Sequence, residues 1–189
     1  MIKIGILGDI GSGKSYVAQN FGYPVFNADD EVAKLYQQNK RVFKNLRKKL
    51  PKYIHSFPIE KKEISNAILS NKSNLNKIIK IVHAEIRKKM NIFLKKNKNN
   101  KIVILDIPLL LENKINHKND ILVYVQSEKL GILKRLKKRK NFNHKLLKKF
   151  KAIQYPINYK KKKSNFIIKN NFTKKSVNDG IKNILKEIV

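Results

Sequence analysis

The chain has 189 residues, of which 41% are hydrophobic, so it can bury a core and is not expected to be disordered as a whole. It contains no cysteine, which excludes disulfides and thiolate metal sites. No cleavage-site pattern follows the apolar N-terminus, and no stretch approaches the roughly 18–20 apolar residues of a membrane span, so we expect a cytoplasmic protein.

The formal net charge of +31 has two interpretations. It is compatible with a nucleic-acid or membrane binder. However, lysine greatly outnumbers arginine. Asparagine and isoleucine are also abundant, and lysine, asparagine and isoleucine all have A/T-rich codons. The lysines are also spread along the chain, whereas a nucleic-acid groove usually gathers arginine and aromatic residues in one place. We therefore favour codon bias, and we expect neither a specific nucleic-acid partner nor a membrane partner.

The first half of the chain opens with an apolar segment at residues 2–7 that stops at glycines, which is typical of a buried parallel strand. The other elements expected in this half are a helix at residues 13–21, a strand at 23–27, a helix opened by acids at 29–36 and a mainly helical stretch at 40–100 that ends in a polar loop at 95–101.

The second half again alternates strands with helices. The expected elements are strands at residues 102–105 and 121–125, a basic helix at 129–139, a short strand at 166–168 and a closing helix at 176–188. The lysine run at 160–163 is expected to be a solvated loop. Strands that alternate with helices predict an α/β fold with a parallel sheet.

A phosphate-binding motif lies between the first predicted strand and the first predicted helix. Gly8, Gly13, Lys14 and Ser15 satisfy the spacing G-x-x-x-x-G-K-[ST]. The glycines let backbone N–H groups turn towards phosphate oxygens, and the following helix adds its positive N-terminal end. In such a P-loop the lysine reaches the β- and γ-phosphates and the hydroxyl binds Mg²⁺. The motif therefore predicts a P-loop phosphotransferase.

Two carboxylates follow predicted strands, at the sheet edge where ligands bind in such folds. Asp106 follows the strand at 102–105, where it can hold magnesium or position substrate, or simply end the strand in a turn. Asp29 follows the strand at 23–27, where it can accept a proton from an attacking hydroxyl or cap the next helix. No Asn-Lys-x-Asp motif follows a buried strand, which argues against a GTPase.

Further motifs follow the P-loop in a fixed order. They are Asn27-Ala28-Asp29, Ile81-Val82-His83-Ala84, the Asp106–Glu112 segment DIPLLLE, the pair Arg135 and Arg139, and Gln154-Tyr155-Pro156. In this order and spacing, over nearly the whole length, the chain resembles the dephospho-coenzyme A kinase family. That family has a GGIGSGKS loop, a D-A-D segment, an H-P element, a D-x-P-L-L-F-E segment, an arginine-bearing lid and a Q-x-P element.

The resemblance implies a three-layer P-loop kinase fold with a parallel five-stranded sheet, a helical substrate-binding part and a lid helix. One domain would span residues 1–189, with a helical CoA-binding part at roughly 40–95 and a lid region at roughly 128–160. It also implies transfer of the ATP γ-phosphate to the ribose 3′-hydroxyl of dephospho-CoA, with Mg²⁺ as cofactor. The oligomeric state stays open, and we favour a monomer.

The resemblance and the motifs together give a set of expected site residues. The catalytic residues would be Lys14, Asp29 and Arg139. ATP would be bound by Gly8, Gly11, Ser12, Gly13, Lys14, Ser15, Tyr16, Arg135 and Asn170. Dephospho-CoA would be bound by Asp29, His83, Arg87, Asp106 and Pro108, and Mg²⁺ by Ser15 and Asp106.

Some of these assignments have alternatives. Arg135 and Arg139 would share one helix face, as would His83 and Arg87, because residues four apart on a helix are neighbours. Arg135 could instead be a solvated charge, and His83 a packing histidine. Lys160 and Asn170 could border the nucleotide base.

The chain departs from the family pattern at five positions. Asp9 replaces a glycine, Asn27 an aspartate, Ala84 a proline and Leu111 a phenylalanine, and Lys140 follows the lid arginine where the family often has an acid. None of these changes removes an element that the chemistry needs.

Two other functions share part of this pattern. A nucleoside or nucleotide kinase would share the P-loop, the acidic base and the lid arginine, but it would not require the Asp106–Glu112 and Asn27-Ala28-Asp29 segments. A nucleic-acid-dependent ATPase would exploit the positive charge, but the chain has no aromatic-rich basic module.

Overall fold

The structure, a computed structural model, describes residues 1–139 and 142–188. Its centre is a five-stranded sheet in which every pairing is parallel, in the order β2-β3-β1-β4-β5. The strands are β1 (Ile2–Gly8), β2 (Val25–Asn27), β3 (Ile102–Asp106), β4 (Ile121–Gln126) and β5 (Phe166–Lys169). The departure at Lys140 lies outside the described residues.

The described helices fall between and after these strands. They are α1 (Lys14–Asn20), α2 (Ala28–Gln38), α3 (Lys40–Lys49), α4 (Lys61–Ser70), α5 (Lys72–Lys96), α6 (Lys129–Lys137), α7 (His144–Ala152), α8 (Ile157–Lys163) and α9 (Lys174–Ile188). None of these helices is long and apolar enough to cross a membrane.

The strand order explains the position of the P-loop. From β1 the chain moves to β2 and β3, which lie on one side of β1 within the sheet. It then crosses to β4 and β5, which lie on the other side of β1. The carboxyl end of β1 is therefore the point where the winding direction changes, and in open α/β sheets ligands bind at such a point. The segment that leaves β1 there is the P-loop.

The chain divides into two compact units. The first unit contains the sheet and consists of Met1–Asn27, Asn97–Asn143 and Lys151–Val189. On one face of the sheet, Ile4 and Ile6 belong to a buried cluster with Val17 of α1 and Val177 of α9. Gly5 points to the opposite face, where a Cβ atom would come within 2.5 Å of Leu110, so glycine allows this segment to approach the sheet closely.

The second unit is helical and consists of Ala28–Lys96 and His144–Phe150. Side chains cap three helix ends in this unit. The Asn39 side chain accepts a hydrogen bond from the Val42 N–H at the start of α3, and Glu60 and Glu63 form a capping box at the start of α4. At the other end of α4, Lys149 donates to the carbonyls of Ile68 and Leu69.

Most of the elements expected from the sequence are confirmed. The parallel five-stranded sheet is present, and all five strands, together with α1, α2, α6 and α9, lie within two residues of their predicted bounds. The prediction of a solvated loop at 160–163 is wrong, because these residues form the C-terminal half of α8 and Lys160 is buried. No separate helix was expected at α7.

Candidate active site

The P-loop leaves β1 at Gly8 and enters α1 at Lys14. Gly11 and Gly13 have φ angles of 88° and 92°, in the left-handed region that glycine adopts without steric cost. A Cβ atom on Gly13 would also lie 2.5 Å from the Asn170 Nδ2 atom. These two positions therefore require glycine both for backbone conformation and, at Gly13, for space.

Lys14 folds back over the loop that precedes it. Its Nζ atom donates hydrogen bonds to the carbonyls of Asp9, at 2.9 Å, and Gly8, at 3.3 Å. The ammonium group is thereby held at the mouth of the loop, where phosphate oxygens are expected. The Ser12 hydroxyl oxygen is buried and has no hydrogen-bond partner among the described residues.

Asp9, which replaces a family glycine, makes two side-chain contacts in this loop. Its Oδ1 atom accepts a hydrogen bond from the Ile10 N–H at 2.7 Å, and its Oδ2 atom lies 3.4 Å from the Lys151 Nζ atom. Burial, followed by the negative charge of Asp9, raises the pKa of Tyr124 to about 12, so this phenol stays protonated near neutral pH. Asp9 and Lys151 also border a cavity of about 220 Å³ lined by Gln154, Tyr155, Pro156, Ile157 and Lys160.

Asp106 is the last residue of β3 and is buried. It pairs in register with Asn27, the last residue of β2, and the Asn27 Nδ2 atom donates to the Asp106 Oδ2 atom at 3.3 Å. Pro108 follows two residues later and is partly buried. The carboxylate of Asp106 and the hydroxyl of Ser15 are oxygen donors, the ligand type that Mg²⁺ prefers. No cluster of three or more metal-ligating side chains occurs among residues 1–139 and 142–188.

The sequence predicted that Arg135 and Arg139 share one helix face, and this prediction is wrong. Arg135 lies on α6, but that helix ends at Lys137, and the Arg139 N–H bonds to the Leu136 carbonyl in a turn after the helix. The Arg135 guanidinium carbon lies 4.7 Å from the centre of the Phe172 ring, a cation–π contact that the sequence did not suggest. Both arginine side chains are exposed.

Three expected site residues belong to the second unit. Asp29 is exposed in the first turn of α2, which begins one residue earlier at Ala28, so Asp29 is not the N-cap of that helix. His83 and Arg87 lie one turn apart on α5, with His83 partly buried and Arg87 exposed. The roles of these three residues in the reaction stay predictions.

The remaining expected residues have mixed surroundings. Tyr16 is on α1 and is 41% exposed. Asn170, which directly follows β5, is buried and donates to the Ser12 carbonyl at 2.9 Å. Ser127, which directly follows β4, donates to the same carbonyl at 2.9 Å. Sequence reasoning missed Ser127, because a single serine after a strand carries no distinctive signal.

A buried ion pair beside the P-loop was also missed. The Lys160 Nζ atom lies 2.9 Å from the Glu112 Oε1 atom, and the two side chains are only 3% and 8% exposed. Lys160 also donates to the Gln154 side-chain oxygen at 3.2 Å, and Glu112 accepts from the Tyr155 N–H at 2.8 Å. The pair therefore joins the DIPLLLE segment to the Gln154-Tyr155-Pro156 segment, a contact that the sequence did not predict.

Comparison with known proteins agrees with this geometry. The family model described as dephospho-CoA kinase matches residues 2–176. Proteins named dephospho-CoA kinase from Wolbachia sp. subsp. Brugia malayi and Wolbachia pipientis wMel are 30% and 32% identical to this chain, and each alignment covers 98% of this chain and 97% of the relative.

Solved structures give the same fold. The dephospho-CoA kinase from Campylobacter jejuni superposes with a TM-score of 0.63 at 22% identity, over 98% of this chain and 96% of that one. At this identity the likeness supports the fold alone, whereas the family match and the sequence relatives extend over nearly the whole chain. The chain belongs to the dephospho-CoA kinase family.

Proposed function

We propose that this protein transfers the γ-phosphoryl group of ATP to the ribose 3′-hydroxyl of dephospho-CoA, giving coenzyme A and ADP, the last step of coenzyme A biosynthesis. The observation that carries the proposal is the P-loop with its left-handed glycines and inward-held lysine, in a chain of the dephospho-CoA kinase family. We also propose a cytoplasmic location, where ATP is available to the reaction, and, as a separate proposal, a monomer as the working unit.

The phosphate loop would hold the nucleotide. Backbone N–H groups of residues 11–15 bind the β- and γ-phosphate oxygens, and the Lys14 ammonium leaves the carbonyls of Gly8 and Asp9 to contact them. Mg²⁺, when bound, neutralises charge between the β- and γ-phosphates and would be held by the oxygens of Ser15 and Asp106 together with the nucleotide.

Asp29 would act on the acceptor. Its carboxylate takes the proton from the ribose 3′-hydroxyl as the hydroxyl oxygen forms a bond to the γ-phosphorus, and the bond from that phosphorus to the β,γ-bridging oxygen breaks to release ADP. Lys14 and Arg139 would offset the negative charge on the transferring group, with Arg135 as a second guanidinium. His83, Arg87 and Pro108 would contact dephospho-CoA, while Tyr16 would lie beside ATP.

An ADP-release assay tests the proposal directly. The purified protein is given ATP, Mg²⁺ and either dephospho-CoA, one of a panel of nucleosides and nucleotides, or no acceptor. We expect dephospho-CoA alone to raise ADP release well above the no-acceptor rate, with the product identified as the 3′-phosphate by ³¹P NMR. Phosphorylation of a nucleoside in preference to dephospho-CoA would assign the protein to a different kinase activity.

A further inference from the structure

The carbonyl oxygen of Ser12 is bound from two sides. The Asn170 Nδ2 atom and the Ser127 Oγ atom each donate a hydrogen bond to it at 2.9 Å. The two donors come from different strands, since Ser127 directly follows β4 and Asn170 directly follows β5. Ser12 is 1% exposed and Asn170 is 3% exposed, so water does not compete for these bonds.

The geometry of the peptide bond makes this contact relevant to phosphate binding. In a trans peptide the C=O of one residue and the N–H of the next point in opposite directions. Holding the Ser12 carbonyl towards Asn170 and Ser127 therefore turns the Gly13 N–H to the opposite side. Gly13 has the left-handed φ of 92° that this orientation requires, and its missing Cβ leaves room for the Asn170 amide.

The Asn170 side chain is itself fixed in one orientation. The side-chain Oδ1 atom accepts from the Phe172 N–H at 2.8 Å, and the side-chain Nδ2 atom donates to the Ser12 carbonyl. Separately, the backbone N–H of Asn170 donates to the Gln126 carbonyl at 2.7 Å. One end of the amide faces a carbonyl and the other an N–H, so only one of the two amide orientations satisfies both partners. Asn170 therefore binds Ser12 through its side chain while its own backbone is hydrogen-bonded to the last residue of β4.

The turn at residues 170–172 also contacts α6. Phe172 has a left-handed φ of 68°, which is strained for a residue with a side chain. In this conformation its ring packs against Gly131, where a Cβ atom would come within 2.5 Å of the ring, and lies beneath the Arg135 guanidinium. The turn at residues 170–172 thus connects the P-loop to α6.

We propose that Asn170 is a positioning residue, which together with Ser127 sets the Ser12–Gly13 peptide so that the Gly13 N–H faces the phosphates. This inference rests on the proposed kinase function for its kinetic part and replaces the expectation that Asn170 borders the nucleotide base. The proposal implies that these residues assist binding of the polyphosphate group of the nucleotide, whichever base the nucleotide contains.

Inorganic tripolyphosphate tests the proposal because it has phosphates but no base. Calorimetry with Asn170→Ala, Ser127→Ala and the double variant should give a tripolyphosphate affinity that falls about tenfold or more in Asn170→Ala, less in Ser127→Ala and most in the double variant. Misplacement of a reacting group can cost about 100-fold in rate, so kcat should fall with ATP and GTP alike, and the ratio of their kcat/KM values should stay unchanged.

Asn165→Ala is the matched control. Asn165 directly precedes β5 and binds the Leu122 N–H at 2.8 Å, so it joins the same two strands at the end opposite the P-loop. Asn165→Ala should lower the unfolding temperature without changing tripolyphosphate affinity. Should Asn170→Ala fail to fold, Ser127→Ala carries the test by the same readout.

Two results would overturn the proposal. One is unchanged tripolyphosphate affinity in Asn170→Ala and in the double variant, or in Ser127→Ala where the other two variants do not fold. The other is a selective loss of ATP over GTP, which would return Asn170 to the nucleotide base. The tripolyphosphate measurement does not use dephospho-CoA, so failure of the wild-type protein to phosphorylate that acceptor would reject the proposed function without affecting this measurement.

Discussion

Asn27 donates a hydrogen bond to the buried carboxylate of Asp106, and the two residues are paired in register at the carboxyl ends of β2 and β3. The family pattern has an aspartate at the position of Asn27. In this chain the amide supplies a donor where a second carboxylate would place two negative charges within about hydrogen-bond distance. The substitution therefore lowers the charge repulsion at this edge of the sheet.

The first prediction is that Asn27→Asp lowers stability at neutral pH. Repulsion between the two carboxylates raises the pKa of one of them by about 1–3 units, and each unit costs about 1.4 kcal/mol. We therefore expect the free energy of unfolding to fall by about 1–4 kcal/mol, measured by urea denaturation. Because the raised pKa favours proton binding by the folded state, the deficit should shrink as the pH falls through that pKa.

Asn27→Ala separates charge from the lost hydrogen bond. It removes the donor without adding a carboxylate, so its stability deficit should change less between about pH 4 and 7 than that of Asn27→Asp. Addition of Mg²⁺ should reduce the deficit of Asn27→Asp and leave Asn27→Ala unchanged. Equal stability of Asn27→Asp and the wild-type protein across this pH range would contradict the prediction.

The second prediction concerns Lys14→Ala. The Lys14 ammonium is held over the P-loop by two backbone carbonyls, close to the expected phosphates. Loss of such a contact to a developing negative charge commonly costs about 10²–10³-fold in rate. Turnover of dephospho-CoA should fall by this factor while the circular dichroism spectrum stays unchanged. Lys137→Ala, which removes an exposed lysine from α6, should keep wild-type turnover.

The third prediction concerns the buried pair of Glu112 and Lys160. Removing one partner leaves an uncompensated buried charge, which costs about 3–5 kcal/mol, whereas removing both charges is often close to neutral. Lys160→Met should therefore destabilise the protein strongly, and the double variant Glu112→Gln with Lys160→Met should recover most of the loss. Urea denaturation of the two single variants and the double variant completes the cycle.

Lys162→Met provides the control for this cycle. Lys162 lies two residues further along α8 and is exposed, so its loss should change the free energy of unfolding by less than about 0.5 kcal/mol. If Lys160→Met is as mild as Lys162→Met, the buried pair does not contribute as the structure indicates.

The sequence predicted the features that depend on local pattern. The fixed spacing of Gly8, Gly13, Lys14 and Ser15 identifies the P-loop, and the apolar runs before it and at residues 102–105 identify buried strands. These signals are strong because the backbone conformation of the loop and the burial of the strands restrict which residues can occur there.

The features that it missed depend on contacts between distant residues. The helix α8 contains four consecutive lysines, a pattern from which we predicted a solvated loop. In the structure Lys160 pairs with the carboxylate of Glu112, which lies 48 positions earlier in the chain. Likewise, Asn170 reaches the Ser12 carbonyl across a separation of 158 residues. No local pattern records such a contact, because neither residue is unusual among its neighbours.

The fourth prediction concerns Asp29, the proposed proton acceptor. Asp29→Asn keeps the shape of the side chain and removes its basicity. General bases typically contribute about 10²–10⁴-fold to rate, and a loose phosphoryl-transfer transition state favours the lower part of this range. We expect kcat to fall by at least about 100-fold, while the affinity for ATP, measured by calorimetry, changes little because the acceptor hydroxyl and not ATP is the group on which Asp29 acts.

Asp30→Asn is the matched control, since Asp30 is the next residue in the same first turn of α2 and is also exposed. Both variants remove one negative charge near the start of the helix, so any effect through helix stability should be similar in the two. A large loss of kcat in Asp29→Asn alone supports the base. Loss of ATP affinity together with kcat would instead indicate a role in metal binding, and wild-type kinetics in Asp29→Asn would restrict Asp29 to stabilising the start of α2.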